Sequence, residues 1–360
     1  MRIFICIILL FLLISPLANA KIVFAARVEE GIKGIFVMED DGTGVTELLT
    51  DTRYPTTPRW SPDGKQIVFS RWASPENQQQ DLVVLMNTDG TNQRIITEPR
   101  TKSRHPVFSP NGKFILLNRV GRIKNMVKYY AYIIELETGI EKRLTDFGVS
   151  FPDWSPDGRQ IVYSTIPILG RTMKSLWIMH SDGGGERPLL PPLPPGDTLI
   201  DKAYPKWSPD GQQILYYELE SKFNPKDGFI PHEHRYFIYD LTTKQNQRLR
   251  IPKTYRCSSI DWMDNGKSIA FSAVEIKLKH PVGTVWHDYH IYKYNIATGT
   301  ITRLTDQTWE NISLDWIDDD LLPVSPKEKK QSQWGKLKSS LLTYRKTFML
   351  ISDSLSYFVK

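Results

Sequence analysis

The sequence predicts an all-β chain folded as a six-bladed β-propeller, closed by a C-terminal strand that completes the N-terminal blade. Three observations lead there. A strand–turn–strand phrase recurs six times, a second such phrase alternates with it, and the two ends of the repeat array carry complementary parts of one unit. Self-similarity at a period near 50 residues marks a repeat architecture, and four antiparallel strands per period describe a propeller blade. Composition agrees. Hydrophobic residues make up 40%, aromatics 11% and charged residues 24%, which excludes wholesale disorder. The 24 Pro and 22 Gly punctuate short apolar runs, as strands and turns require.

Residues 1–20 read as a leader. Arg2 precedes an apolar run from Ile3 to Ile14, Pro16 breaks it, and Ala18-Asn19-Ala20 supplies small residues for a signal peptidase. The run is shorter than the roughly 20 apolar residues a membrane span needs. Cleavage before Lys21 and an exported chain, periplasmic or secreted, are expected; an uncleaved N-terminal anchor is the other reading. There is no Cys at the cleavage point, so a lipoprotein anchor is not expected, and nothing later in the sequence is apolar enough for a transmembrane span. Of the two cysteines, Cys6 lies in the leader and leaves Cys257 as a single thiol, so an internal disulfide and a Cys-rich zinc site are excluded.

The first phrase begins at Trp60 (PRWSPDGKQIVFS). It recurs at Phe108 (HPVFSPNGKFILLN), Trp154 (PDWSPDGRQIVYS) and Trp207 (PKWSPDGQQILYY), weakens at Trp262 (IDWMDNGKSIAFS), and survives as LDWIDDDLLPVSP at Trp316. The anchors are 48, 46, 53, 55 and 54 residues apart. In Ser61-Pro62-Asp63-Gly64, Ser at i, Pro at i+1 and Gly at i+3 suit a type I turn. This phrase supplies strands a and b. The second phrase, from GIFVMEDDGTGVTELLT (34–50) to HIYKYNIATGTITRLT (290–305), supplies strands c and d around Thr-Asp-Gly or Thr-Gly turns. Strand b, as in Ile67-Val68-Phe69, is apolar on successive residues and so is expected to be covered on both faces. The chain after the leader opens with Lys21-Ile22-Val23-Phe24, a strand b without a strand a. Leu314-Asp315-Trp316 is a strand a without the rest. Together, residues 22–50 and roughly 313–325 complete blade 1; five or seven blades would require one repeat to be misread.

The phrase W-S-P-D-G-K/R-x-I-V-F/Y-S resembles the repeat of the TolB-type propellers, the WD40-like PD40 group. It stands at Trp60–Ser70, Trp154–Ser164 and, ending in Tyr216-Tyr217, Trp207–Tyr217. The resemblance covers about 300 residues. It implies a six-bladed periplasmic protein of an envelope system that binds a peptidoglycan-associated lipoprotein. Members carry an N-terminal domain before the propeller, whereas these repeats follow the leader directly, so contacts made through that domain do not carry over.

The formal charge of +6 is concentrated at the end. Residues 323–360 hold eight Lys/Arg and two Asp/Glu, which leaves 37 basic and 38 acidic groups for residues 21–322. The propeller therefore has no broad electrostatic footprint for nucleic acid. Pro326-Lys327-Glu328-Lys329-Lys330 opens the tail, and Trp334, Leu337, Leu341, Tyr344 and Phe348 follow at three-and-four spacing among basic residues. This basic, helix-spaced segment (326–360) is expected to dock on the propeller, touch an anionic surface, or stay unstructured.

In a blade, the a–b and c–d turns share one face and the b–c and d–a connections the other. The a–b turns are nearly uniform. The b–c connections Arg71–Gln80, Arg119–Tyr129, Thr165–Lys174, Glu218–Arg235 and Ala273–Tyr289 vary widely, as does the d–a segment Pro191–Tyr204. Variable loops on a rigid scaffold are where binding concentrates; neutral drift is the alternative. The expected partner face holds Arg71, Arg119, Tyr129, Arg171, Glu218, Arg235 and Trp286. His232 and His234 fall in one such loop and His280, His287 and His290 in the next. His232, His234, His287 and His290 are candidate ligands for zinc, manganese or iron, or ordinary loop histidines. The residues preceding the anchors, Arg59, Asp153, Lys206, Asp261 and Asp315 (with Val107), form a mixed-sign channel ring that pairs internally or holds a small polar ligand. Acidic turns such as Asp40-Asp41-Gly42 lack the spacing of a calcium loop.

No G-x-S-x-G nucleophile elbow occurs, and no 200-residue region remains for a hydrolase domain. The leading expectation is a monomeric, non-catalytic exported scaffold that binds an envelope protein or peptide without a cofactor. The alternatives are a metal-dependent propeller enzyme, loosely similar to oligogalacturonate lyases, and a Tol–Pal component.

Overall fold

The structure is a computed structural model. It describes residues 21–318 apart from 30–31, 75, 77–79, 99–100, 124–125, 166–173, 192–197, 227, 276–288 and 307–309. The leader and the tail lie outside the described residues.

Among the described residues, twenty-four strands form six four-stranded antiparallel sheets. Blade 1 holds β1 (Lys21–Glu29), β2 (Ile32–Glu39) and β3 (Thr46–Asp51). Blade 2 holds β4 (Thr56–Trp60), β5 (Gln66–Trp72), β6 (Asp81–Asn87) and β7 (Arg94–Ile95). Blade 3 holds β8 (Ser103–Phe108), β9 (Phe114–Ile123), β10 (Met126–Glu135) and β11 (Glu141–Arg143). Blade 4 holds β12 (Val149–Trp154), β13 (Gln160–Thr165), β14 (Leu176–His180) and β15 (Arg187–Pro188). Blade 5 holds β16 (Thr198–Trp207), β17 (Gln213–Asn224), β18 (Gly228–Asp240) and β19 (Asn246–Arg248). Blade 6 holds β20 (Tyr255–Met263), β21 (Ser268–Glu275), β22 (His290–Asn295) and β23 (Ile301–Arg303). The last strand, β24 (Glu310–Ile317), returns to blade 1 and pairs with β1, Ile22 opposite Trp316 and Phe24 opposite Leu314. The first strands of successive blades touch in a closed circuit, β24 to β4, β8, β12, β16, β20 and back, which leaves each blade only its short outer strand as an edge.

Each gap between blades has its own hydrophobic cluster. Trp60 packs with Val23 and Ala25 of blade 1, Phe108 with Val68 of blade 2, Trp154 with Leu116 of blade 3, Trp207 with Val162 of blade 4, and Trp262 with Leu215 of blade 5. Trp316 lies against the cluster that joins blades 6 and 1. The consecutive apolar residues of strand b are thereby explained, since Ile67, Val68 and Phe69 are all fully buried between neighbouring sheets.

The Ser-Pro-Asp-Gly turns are built identically. Ser61 Oγ donates to Asp63 (2.7 Å) and accepts the Gln66 N–H (2.8 Å), while Ser61 O accepts the Gly64 N–H (2.9 Å). Ser155 and Ser208 repeat the pattern with Asp157 and Asp210, and Ser109 with Asn111. The turns also lean on one another. In three of them the glycine faces the proline of the turn before it, Gly112 on Pro62, Gly158 on Pro110 and Gly211 on Pro156. In blade 6 a single 3-10 turn, Asp264–Gly266, takes this place.

Candidate functional site

The channel ring assembles. From β24, Asp315 accepts the backbone N–H of Trp60 (2.8 Å) and pairs with Arg59 (3.1 Å). Arg59 also reaches Asp261 (3.4 Å), Asp261 reaches Lys206 (3.3 Å), and Lys206 reaches Asp153 (3.4 Å), whose other oxygen accepts the Trp207 N–H (3.0 Å). The five residues thus form one chain of ion pairs, three acidic and two basic, in which Asp261 and Asp315 of neighbouring blades share Arg59. Burial pushes the Asp315 carboxyl up to about 7 and raises Asp153 against the pull of Lys206. Every cation of the ring is engaged by a carboxylate, which leaves no free positive group for an anionic ligand.

Above the ring sits a feature that sequence reading missed. Thr57, His105, Phe151 and Tyr204 occupy equivalent positions in blades 2 to 5, each with φ between +50° and +55°, at a register shift of the inner strand. Each precedes a proline (Pro58, Pro106, Pro152 or Pro205). That recurring proline, two residues before the anchor, was the available signal, because proline inside a strand marks a bulge. The bulges form an aromatic collar: His105 contacts Phe151 edge-on (centroids 4.8 Å apart), and Phe151 contacts Tyr204 (4.4 Å). Burial lowers the His105 imidazole to about 3, so it stays neutral. The cavity at the collar measures about 30 Å³, room for a water molecule.

On the opposite side from the turns, two expected loops prove to be strands. Residues 119–123 and 126–129, and residues 218–224 and 228–235, continue strands b and c as paired strands, with Tyr130 opposite Arg119 and Arg235 opposite Glu218. Half of the expected d–a segment is likewise strand, with Thr198 opposite Lys222. Blades 3 and 5 therefore carry β-arms, and the blade 5 arm is three strands wide. Period-2 apolar patterning is weak there, and charged residues of the blade 5 arm form cross-strand ion pairs.

The charged residues assigned to the partner face are accordingly engaged within the blades. Arg71 is buried against Asp51 (3.2 Å) and Gln93 (3.3 Å), tying blade 2 to blade 1. Arg119 holds Glu141 through both terminal nitrogens and stacks on Tyr132. Glu218 sits between Lys202 (3.5 Å) and Arg235 (2.7 Å), and Arg235 also binds Glu220 (2.7 Å). Tyr129 is half-buried on β10 opposite Val120. Arg171 and Trp286 lie outside the described residues.

The candidate metal ligands do not converge where they are described. His232 is exposed on the blade 5 arm. His234 is buried, with Nδ1 bonded to the Tyr217 hydroxyl and its pKa lowered by burial to about 4. His290 uses Nδ1 on the Thr305 carbonyl (3.0 Å) in blade 6. His280 and His287 lie outside the described residues. Among the described residues, no three His, Cys, Asp or Glu side chains gather as a metal site. No described helix is long and apolar enough to cross a membrane.

Comparison with known proteins follows these features. A family model described as TolB beta propeller domain matches residues 15–192. Dipeptidyl-peptidase 5 of Porphyromonas gingivalis is 25% identical over 257 residues, 68% of this chain, which spans only 33% of that protein. An uncharacterised protein of Agrobacterium fabrum is 26% identical over 212 residues, 56% of this chain and 67% of its own. Among solved structures, TolB from Acinetobacter baumannii superposes with a TM-score of 0.61 at 17% identity, covering 82% of this chain and 66% of that one. An oligogalacturonate lyase in complex with manganese superposes with a TM-score of 0.50 at 13% identity over 78% of each chain. At these identities the structural likenesses speak for the fold.

Proposed function

Because this chain is a TolB-type six-bladed β-propeller, we propose that it works as an exported, non-catalytic scaffold that grips an envelope protein or peptide with the face bearing the two arms. One observation carries the reading: the arms rise from blades 3 and 5 on the same face, while the opposite face carries short turns that lean on one another. A fixed ring with two raised walls suits a partner laid across blade 4 between them. The channel suits no such role, since its charges are mutually paired and its collar leaves space for little more than water. The metal-enzyme alternative gains no support from the described histidines, whose Nδ1 atoms at 234 and 290 bond within their own blades.

The test is capture from solubilised envelope, with a peptidoglycan-associated lipoprotein as the first partner to probe. In one variant, residues 221–232 are replaced by Asn-Gly, which joins the paired Glu220 and Glu233 through a two-residue hairpin turn. In a second, 122–127 are replaced in the same way. Each variant should melt within a few degrees of the parent and retain its partner at least tenfold less well. Undiminished capture by both would overturn the proposal.

A further inference from the structure

The repeats serve as an internal alignment, and at two positions blade 3 departs from it in the same direction. The residue that ends the a–b turn is Gln66, Gln160 or Gln213 where its carbonyl accepts the turn serine's N–H; in blade 3 it is Phe114. The residue whose carbonyl accepts the N–H at the end of strand c is Thr43, Thr91, Gly184, Gln245 or Thr300; in blade 3 it is Ile140. Polar or glycine positions have become apolar, and at 65% Ile140 is the most exposed large hydrophobic residue among those described. Both line one cleft of about 650 Å³ on the turn face, between blades 3 and 4. Its own blade leaves most of Ile140 in water, and a group seated in the cleft would cover it together with Phe114. The cleft's charged lining comprises Glu135, Asp157 and Asp182 against Lys142.

We propose that this cleft is the docking site for the chain's own basic segment 326–348, whose apolar stripe of Trp334, Leu337, Leu341, Tyr344 and Phe348 covers Phe114 and Ile140 while its lysines face the carboxylates. Three observations select this occupant. The register places Ile317 opposite Lys21 at the turn end of β24, so the chain beyond departs on the face that carries the cleft. The 16 residues from 318 to 333 reach at most about 55 Å when extended. A blade is only about 15 Å from inner to outer strand, so that linker suffices to cross the face. The charges are complementary, with Lys327, Lys329, Lys330, Lys336, Lys338, Arg345 and Lys346 against Glu328 in the segment. An amphipathic basic segment loses its ordering cost most easily against a preformed apolar cleft with acidic walls.

The experiment uses the full chain carrying Cys6→Ser, in which the remaining thiol, Cys257, is buried. Cysteines introduced by Lys142→Cys and Ser340→Cys are treated with a short bis-maleimide at low protein concentration. Cross-linking within one chain is expected. Linked dimers, or no linkage, would overturn the assignment, the first by giving the cleft to a second copy. In parallel, Phe114→Gln with Ile140→Thr restores the residues the other blades already carry at these positions, so the fold is expected to persist. The pair should speed tryptic cleavage at 336–346 at least tenfold with an unchanged melting temperature. Equal cleavage rates in parent and variant would also overturn the proposal.

Discussion

Asp315 shows how a single buried carboxylate reports on the whole channel. Its two oxygens join the last strand to the second blade, one on the Trp60 N–H and one on Arg59, yet three carboxylates share two cations, so one charge is in surplus. Desolvation outweighs the pull of Arg59 and lifts its pKa from 3.8 to about 7. A folded value above the unfolded one means that the folded chain binds this proton more tightly. The stability it contributes is complete below about pH 4 and is lost as the pH rises through 7. Asp315→Asn, which cannot ionise, should therefore gain stability relative to the parent as the pH goes from 4.5 to 8, read from urea midpoints at each pH. Parallel pH profiles would contradict the assignment. The ring residues were legible in the sequence because each precedes a repeat anchor. The collar residues Thr57, His105, Phe151 and Tyr204 were not singled out, because a left-handed backbone at a non-glycine residue has no residue-type signature. Only the recurrent proline pointed to it.

Among the elements, the fourth strands of blades 2, 3 and 6 are each tied to strand c by a threonine. Thr97, Thr145 and Thr305 close the second phrase, and each hydroxyl accepts a buried strand c N–H, from Val83 (3.0 Å), Ala131 (3.1 Å) and Ile291 (3.0 Å). The outer strands β7, β11 and β23 are two or three residues long, so this side-chain bond replaces ladder bonds they cannot supply. Thr97→Val keeps the shape and orphans the Val83 N–H, which should cost about 1–3 kcal/mol in chemical denaturation; a change below a few tenths would refute the role. The sequence repeats an apolar residue followed by Thr at 96–97, 144–145 and 304–305, but no role was read from it. The arms were not legible, because Glu218–Arg235 was expected as a loop, and Glu218, Glu220, Glu233 and Arg235 become ion partners only once strand pairing places them side by side. Alternation of apolar residues reports burial, and a strand that leaves the ring has little to bury.

For the molecule as a whole, the blade count and the closing pair could be read from the sequence because each repeat must cover its neighbour, and an unmatched half-repeat at either end has one place to go. The six clusters confirm that logic, one to each gap, with Ile22, Phe24 and Leu314 fully buried where the two ends meet. Residues 21 and 317 lie directly opposite each other across the β1–β24 ladder. The backbone is therefore a loop with a nick, and the nick's position is chemically arbitrary. A circular permutant that joins residue 318 to residue 21 through a short glycine linker and opens between Asp89 and Gly90 should fold to the same ring, with a circular dichroism spectrum matching the parent. A permutant that remains unfolded would mean that the order of synthesis, rather than the closed circuit of sheets, determines the ring.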